Sequence, residues 1–392
     1  MSKLKLLYVS PFPPLKSGIA DYSERLVRVL SEKFDVSLYT GNYNVCKSLE
    51  RDFTIYKHEV NVVNFNDFDK IIYNIGNNGL YHDYIYEVCL KHPGFVILHD
   101  MVIIDLLRYM YFAKNLFLKK LFKYSSMKNF YIVKTMIKKG KWDQSALSRI
   151  PFNEELLSSK NKIIVHSMYS YNKILDTGLI SKDNLFKVNL MSLKESDVPV
   201  NKKDELFEKY DIPQDAFIIS SFGNIISNKL NDYTCRVLKN IESKIDKKIC
   251  FVLVGETIGD GKKIDKYLEK NFILKTGYTN IDEFKDFMKY SDVIVNLRYP
   301  PLGETSAAII QILKNGKPCI INPDGSFAEI PQNCVYRVSR DSLENDLEKA
   351  LLELINNKEL REKIGKNAKA YIEKEYNDSK ILKDFERILS LG

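Results

Sequence analysis

Residues 292–331, DVIVNLRYPPLGETSAAIIQILKNGKPCIINPDGSFAEIP, leave this chain few folds to choose from. The run 292–299 spells a buried strand, the two prolines and Gly303 force a turn over 300–303, and 305–315 has the composition of a helix. Gly316 stops that helix, and 318–322 opens another strand, so the segment predicts one strand–turn–helix–strand unit of a parallel sheet. The turn bars regular structure just ahead of the helix, which leaves the backbone amides of Glu304, Thr305 and Ser306 without intrahelical acceptors. In open α/β folds that carboxyl edge of the sheet is where ligands bind. An anion or a sugar hydroxyl there meets N–H donors, the positive end of the helix dipole, two hydroxyls and one carboxylate. Capping alone would account for Thr305 and Ser306. Glu304 would repel a phosphate, and its presence suggests a ligand that carries hydroxyls as well.

With 392 residues, 45% of them hydrophobic and 28% charged, the chain has room for two or three domains with buried cores. MSKLKLLYVS runs straight into a strand with no small-residue cleavage site, so no signal peptide is expected. No apolar run approaches the roughly 20 residues that span a bilayer, which points to a cytoplasmic protein. Cys46, Cys89, Cys235, Cys250, Cys319 and Cys334 are scattered without a C-x-x-C pair, so free buried thiols are expected and zinc is not.

The net charge of +8 is unevenly spread. Between Leu106 and Trp142 there is no Asp or Glu, while Arg108, Lys114, Lys119, Lys120, Lys123, Lys128, Lys134, Lys138, Lys139 and Lys141 alternate with aromatic residues. The pattern predicts one or two amphipathic helices, a basic-aromatic insert over 105–150. Its cationic face suits anionic lipid headgroups on the inner face of the plasma membrane, or a polyanionic acceptor. A solvated lysine face over an aromatic core would look the same. No nucleic-acid motif accompanies the charge, so no nucleic-acid partner is expected.

In chain order, 3–10 predicts a strand, 11–18 a Pro/Gly loop closing on Ser17-Gly18, and 19–33 a helix. G-x-G-x-x-G is missing, so a dinucleotide fold is poorly supported. Further strands are expected at 35–39, 53–58, 70–75, 95–99 and 162–166. Two end in polar residues on the ligand side of a parallel sheet: Asn77-Asn78 after IIYNIG, and His99-Asp100 after FVIL. His166 closes a third, and could equally be a satisfied core histidine. A new sheet is expected near Leu185, with strands at 216–222, 249–254 and 272–277. Charged helices at 343–356, 358–373 and 379–389 end the chain.

These landmarks together resemble the family 4 retaining glycosyltransferases of the GT-B fold. The residues that carry the likeness are YVSPFPPLKSGIADYSERLVRVL, the GNN and LHD strand ends, SFGNIISNK, LVGE, TGY and RYPPLGETS…NGKP…FAEIP. The resemblance covers nearly the whole chain and implies an α/β protein of two Rossmann-like domains with parallel sheets facing a shared cleft. It implies an acceptor domain over 1–185, a nucleotide-sugar domain over 186–375, and a last helix, 376–392, packed back on the first. The family's G-R-x-x-x-x-K element falls on residues 223–229, so Lys229 takes the lysine that neutralises the donor diphosphate, while Asn224 stands where the family has arginine. Gln311 stands where the second of two glutamates would hold the ribose, and an amide oxygen can still accept from a ribose hydroxyl. Glu304 lies one residue closer to it than the first glutamate would, so G-E-T-S is a variant of the usual acidic loop.

The likeness implies catalytic roles for Glu304, His99 and Lys229. Donor contacts fall to Gly18, Asn224, Gly255, Tyr278, Arg298, Gly303, Thr305, Ser306 and Gln311, and the acceptor side to Ser17, Asp21, Asn77, Asn78 and Asp100. The expected reaction moves a hexose or deoxyhexose from a GDP- or UDP-linked donor to a glycan or lipid-linked glycan, with retention. No D-x-D marks a metal-held diphosphate, so neither metal nor cofactor is expected. Two rivals stay open: a nucleotide-sugar epimerase on the same fold, and a non-catalytic partner subunit, suggested by Asn224 and Gln311.

Overall fold

The computed structural model describes residues 3–192, 202–268, 272–301 and 303–391, and for 144, 145 and 260 the backbone alone. The chain divides into two compact units, Met1–Leu193 with Leu302–Thr305 and Asp378–Gly392, and Lys194–Pro301 with Ser306–Asn377.

The first unit is built on a seven-stranded sheet: β1 (Lys5–Val9), β2 (Asp35–Thr40), β3 (Thr54–Lys57), β4 (Lys70–Ile75), β5 (Phe95–Leu98), β6 (Lys162–Val165) and β7 (Leu185–Lys187). Their order is β3-β2-β1-β4-β5-β6-β7 and every pairing is parallel. Leu6 through Val9, Ile71 through Ile75 and Phe95 through Leu98 are buried throughout. Such apolar runs, interrupted here only by Asn74, are what a parallel sheet covered on both faces requires, because each side chain meets a helix whichever way it points. The second unit repeats the plan with β8 (Phe217–Phe222), β9 (Ile249–Val254), β10 (Ile273–Gly277), β11 (Val293–Val295), β12 (Cys319–Ile321) and β13 (Tyr336–Arg337). Here the order is β10-β9-β8-β11-β12-β13, again all parallel.

Several expectations are corrected. Leu185 does not open the second sheet: β7 pairs with β6, Ile163 with Leu185 and Val165 with Lys187, so the first unit runs on to Leu193. A three-residue strand carries too little periodicity to be assigned to a sheet from sequence. β11 stops at Val295 instead of 299: the Asn296 amide still bonds the Ile320 carbonyl of β12, but the Arg298 amide donates to the Asn322 side chain in place of a backbone carbonyl. The helix expected at 305–315 spans Ala307–Lys314, with the Ser306 hydroxyl accepting from the Ile309 amide. The insert holds four helices rather than one or two, Ile104–Tyr111, Phe117–Tyr124, Met127–Lys139 and the single turn Gln144–Leu147, the third stopped by Gly140 at φ 60°. The turn expected at 300–303 includes position 302, outside the described residues.

The last helix, Asp378–Ser390, belongs to the first unit, where it lies along the helix Gly18–Leu30. Its face of Ile381, Leu382, Phe385, Ile388 and Leu389 is buried. Arg25 bonds Asp378 at 2.7 Å and Lys33 pairs with Glu386 at 3.4 Å at the margin of that contact. Most of the attachment free energy comes from the five apolar side chains, at roughly 1.5–3 kcal/mol each when fully buried, since exposed pairs add under about 1 kcal/mol.

Candidate functional site

Both sheets have one point where neighbouring strands send their connections in opposite directions, β1/β4 in the first and β8/β11 in the second. Ligand crevices of open parallel sheets form there, past the carboxyl ends of the strands. Expected site residues lie past the strand ends at and beside these points: Ser17, Asn77 and His99 after β1, β4 and β5, and Gly223, Gly255, Tyr278 and Arg298 after β8, β9, β10 and β11.

In the first unit, the loop after β1 ends at Ser17, whose hydroxyl accepts from the Ile19 amide at 3.3 Å and caps the helix Gly18–Leu30. Gly18 is exposed with open space around its Cα, and Asp21 is exposed in the helix's first turn. Past β4, three expected acceptor contacts turn out to be held by local bonds. The Asn77 side chain donates to Asp105 at 3.1 Å and accepts from the Asp105 and Leu106 amides, which caps the next helix. Asn78 caps the helix Gly79–Lys91 through the Leu80 amide. The Asp100 carboxylate accepts from the Asn77 backbone at 2.9 Å and holds the loop. An Asn or Asp after a strand serves turns and caps as readily as ligands, so sequence alone could not separate the two.

His99 sits in a polar layer between the sheet and the helix Gly18–Leu30. Its Nε2 donates to the Asn74 amide oxygen at 2.9 Å. The rings of Tyr22 and His166 stand 4.9 and 5.0 Å away. Burial, reinforced by His166 and His82, pushes the His99 imidazole well below its ordinary pKa, so it is neutral at pH 7. Burial lowers His82 and His166 to about 4 as well.

In the second unit, β8 runs into Gly223 at φ 85°, where the backbone turns. Gly255, at φ 147°, lies so close that a Cβ on it would meet the Gly223 carbonyl at 2.5 Å. Gly255 is therefore required by backbone against backbone. Lys229 is buried, 6% exposed, and donates from Nζ to the Phe222 carbonyl beside Gly223. Asn224 is exposed, Gln311 half-buried, and Tyr278 63% exposed just past β10. Arg298 is fixed through its backbone: its amide donates to Asn322 at 2.7 Å and its carbonyl accepts from the same side chain.

The G-E-T-S loop follows. Gly303 has φ 86°, and a Cβ there would run into Met101 at 2.5 Å, while its carbonyl accepts from the Ser170 hydroxyl. Glu304 is half-buried. The Thr305 hydroxyl is buried with no hydrogen-bond partner in the protein. Because the helix begins only at Ala307, its open amides are those of Ala307 and Ala308 rather than of 304–306, with Ile309 capped by Ser306. A buried hydroxyl with no protein partner, next to a carboxylate and two such amides, has the chemistry to bind a polyhydroxylated anion.

Sequence reading missed Asn74. Its signal was an amide at a buried position of the strand KIIYNI, where a parallel sheet wants an apolar residue.

Two all-parallel sheets, each with functional residues at its switch point, define the class: this is a GT-B fold. Crystal structures of the same architecture include Anabaena HepE in complex with UDP and glucose, 12% identical, TM-score 0.62, covering 99% of both chains. Another is WaaG, a glycosyltransferase involved in lipopolysaccharide biosynthesis, 13% identical, TM-score 0.64, over 98% of this chain and 99% of that one. Within the class, residues 202–371 match the model of the family described as glycosyl transferases group 1. Two uncharacterized glycosyltransferases of Methanocaldococcus jannaschii are similar. One is 22% identical over 209 residues, 50% of this chain and 53% of that protein. The other is 25% identical over 279 residues, 61% of this chain and 78% of that protein. The match thus spans about half the length of the first relative.

Proposed function

We propose that this chain is a retaining glycosyltransferase of the family 4 type, moving a hexose or deoxyhexose from a GDP- or UDP-linked donor to a glycan or lipid-linked glycan without a metal. The observation that carries this reading is the G-E-T-S loop, where the buried Thr305 hydroxyl lacks a protein partner beside the Glu304 carboxylate and a helix start. The names of the relatives and the UDP and glucose held by HepE support it.

The chemistry follows from charge. Departure of a nucleoside diphosphate from the anomeric carbon builds negative charge on phosphate and positive charge on the sugar ring. Lys229 and the Ala307 and Ala308 amides stabilise the first; Glu304 holds donor hydroxyls near the second. Neutral His99 contacts the sugar by hydrogen bonding, adding no charge that would repel the cationic ring. Attack from the face of departure lets the leaving phosphate oxygen take the acceptor proton, so Glu304 is not a nucleophile. The test is a melting screen against GDP- and UDP-sugars in EDTA. A nucleotide sugar at about a hundred times its Kd adds about 2.7 kcal/mol of stability. No shift with any donor, or a shift abolished by EDTA and restored by a divalent ion, overturns the donor class or its metal independence respectively.

The basic-aromatic insert adds a second property to the same reading, contact with an anionic membrane. Among the described residues no helix is long and apolar enough to cross a membrane. Phe122 and Tyr131 are each 58% exposed and Tyr109 54%, amid exposed Lys119, Lys123 and Lys128. Lys120 is different: it is paired with Glu155 and covers the Tyr111 and Tyr124 rings, so it supports the helix rather than facing headgroups. At about 1 kcal/mol per lysine, changing Lys119, Lys123 and Lys128 to Gln should weaken binding to phosphatidylserine liposomes about a hundredfold at low salt. Equal binding leaves only a solvated face.

A further inference from the structure

The face of the first sheet that meets the helix Gly18–Leu30 turns from apolar to polar toward its carboxyl edge. Register places Tyr8 opposite Ile72 and Asn74 opposite Ile97. Two residues further along each strand, Ser10, His99 and His166 continue the same face. Tyr22 and Ser23 of the covering helix meet them, Ser23 through a 2.6 Å hydroxyl contact with Ser10. Asn74 lies at the centre of this layer and is itself fully buried. It holds two imidazoles at once: its carbonyl accepts from His82 Nδ1 at 3.1 Å, and its side-chain oxygen accepts from His99 Nε2 at 2.9 Å.

An amide oxygen can only accept, so the nitrogen facing it must carry the proton. A neutral imidazole has one such proton, and spending it on Asn74 leaves Nδ1 a bare acceptor. We propose that Asn74 is a positioning residue that holds His99 in the Nε2–H tautomer, so that the ring offers the donor sugar an acceptor and reads a hydroxyl rather than a carbonyl or ether oxygen. This rests on the reading of His99 as a sugar contact. The protein builds the arrangement rigidly, since Asn74 lies on a central strand flanked by β1 and β5. The cost of the layer is visible in its leftovers. The Tyr8 and Tyr22 hydroxyls, Asn74 Nδ2 and His166 Nε2 are all buried without a hydrogen-bond partner in the protein. A chain that needed only an apolar filler under that helix would not bury four such atoms, and the arrangement is explained if the layer exists to orient His99.

The test reads the tautomer directly. In protein labelled with 15N-histidine, long-range proton–nitrogen spectra separate Nε2–H from Nδ1–H, and His99→Gln identifies the signal among the five histidines. The wild type should show Nε2–H at His99. Asn74→Asp, which keeps an acceptor oxygen in place, should retain it, and Asn74→Ala should lose it. An Nδ1–H signal in the wild type means the amide nitrogen donates to the ring, and overturns the assignment whatever the protein turns over. Calorimetry with UDP and UDP-glucose supplies the second arm. Asn74→Ala and His99→Gln should each bind UDP-glucose about tenfold more weakly while binding UDP unchanged, with Asn74→Asp restored to within about threefold. The expected tautomer together with unchanged UDP-glucose affinity in both weakened variants removes Asn74 as a positioning residue. Failure of the wild type to hold UDP-glucose or any other GDP- or UDP-sugar of the melting screen strikes the donor reading and leaves the tautomer result to stand or fall by itself.

Discussion

Glu304→Ala should abolish sugar transfer, lowering kcat about a thousandfold, while the melting temperature moves by no more than about 2 °C. The activity estimate follows from the type of bond. A carboxylate accepting from sugar hydroxyls makes charge-assisted hydrogen bonds of about 1.5–3 kcal/mol each. Two of them that tighten as the ring acquires positive charge supply roughly 4 kcal/mol to the transition state, and each 1.36 kcal/mol is tenfold in rate. The stability estimate follows from place. Glu304 is half-buried in a loop, outside the helix that Ser306 caps, so its loss opens no core cavity and removes no cap. Glu304→Gln separates charge from hydrogen bonding: the amide keeps one acceptor and loses the charge, and should fall between wild type and Ala. The measurement is nucleotide release with the donor found by the melting screen, alongside thermal unfolding. Full turnover in Glu304→Ala would refute the role, and a collapse of melting temperature would make the residue structural.

How far the sequence could be read depended on what each residue's neighbours demanded. Strands buried on both faces announce themselves as mostly apolar runs, so β1, β4, β8 and β9 were legible to within a residue or two. The terminal helices were legible too, since their apolar positions recur at helical spacing between charged ones. β7 was not, because three residues have no period, and only its pairing with β6 assigns it to the first sheet. At the candidate site, residue type pointed to loops at the strand ends but not to the partners each side chain has there. Asn77, Asn78 and Asp100 stand where ligand groups would stand, yet their side chains are taken by caps and a loop bond. A Cβ on Gly255 would meet the carbonyl of Gly223, 32 places earlier in the chain, because two strand ends pass within touching distance. Such side-chain partners depend on tertiary neighbours and leave no local pattern. Asn74 illustrates the reverse case, an amide hidden in a hydrophobic strand whose importance appears only when the two histidines that bond it are seen.

Lys229→Met should lower kcat by about a hundred- to a thousandfold and weaken binding of the free nucleoside diphosphate. A lysine that is 6% exposed has lost most of its hydration, a cost of several kcal/mol that an anion bound beside it would offset. The Phe222 carbonyl that receives its Nζ lies at the start of the glycine turn, and Gly223 leaves the ammonium room: a Cβ there would stand 2.8 Å from it. Gly223 thus serves the turn, through its positive φ, and the lysine, through its missing side chain. The family's arginine is Asn224 here, exposed and uncharged, so more of the diphosphate charge falls to Lys229. Removing one preorganised group that meets charge developing in the transition state costs about 2.7–4 kcal/mol. Methionine keeps the length and apolar stem while deleting the charge, so the packing beneath Gly223 should survive. Gly223→Ala provides the converse case, pressing a methyl group against an ammonium that remains present, and should impair diphosphate binding less than Lys229→Met does. Wild-type affinity for both UDP and GDP in Lys229→Met would assign the buried ammonium to holding the turn alone.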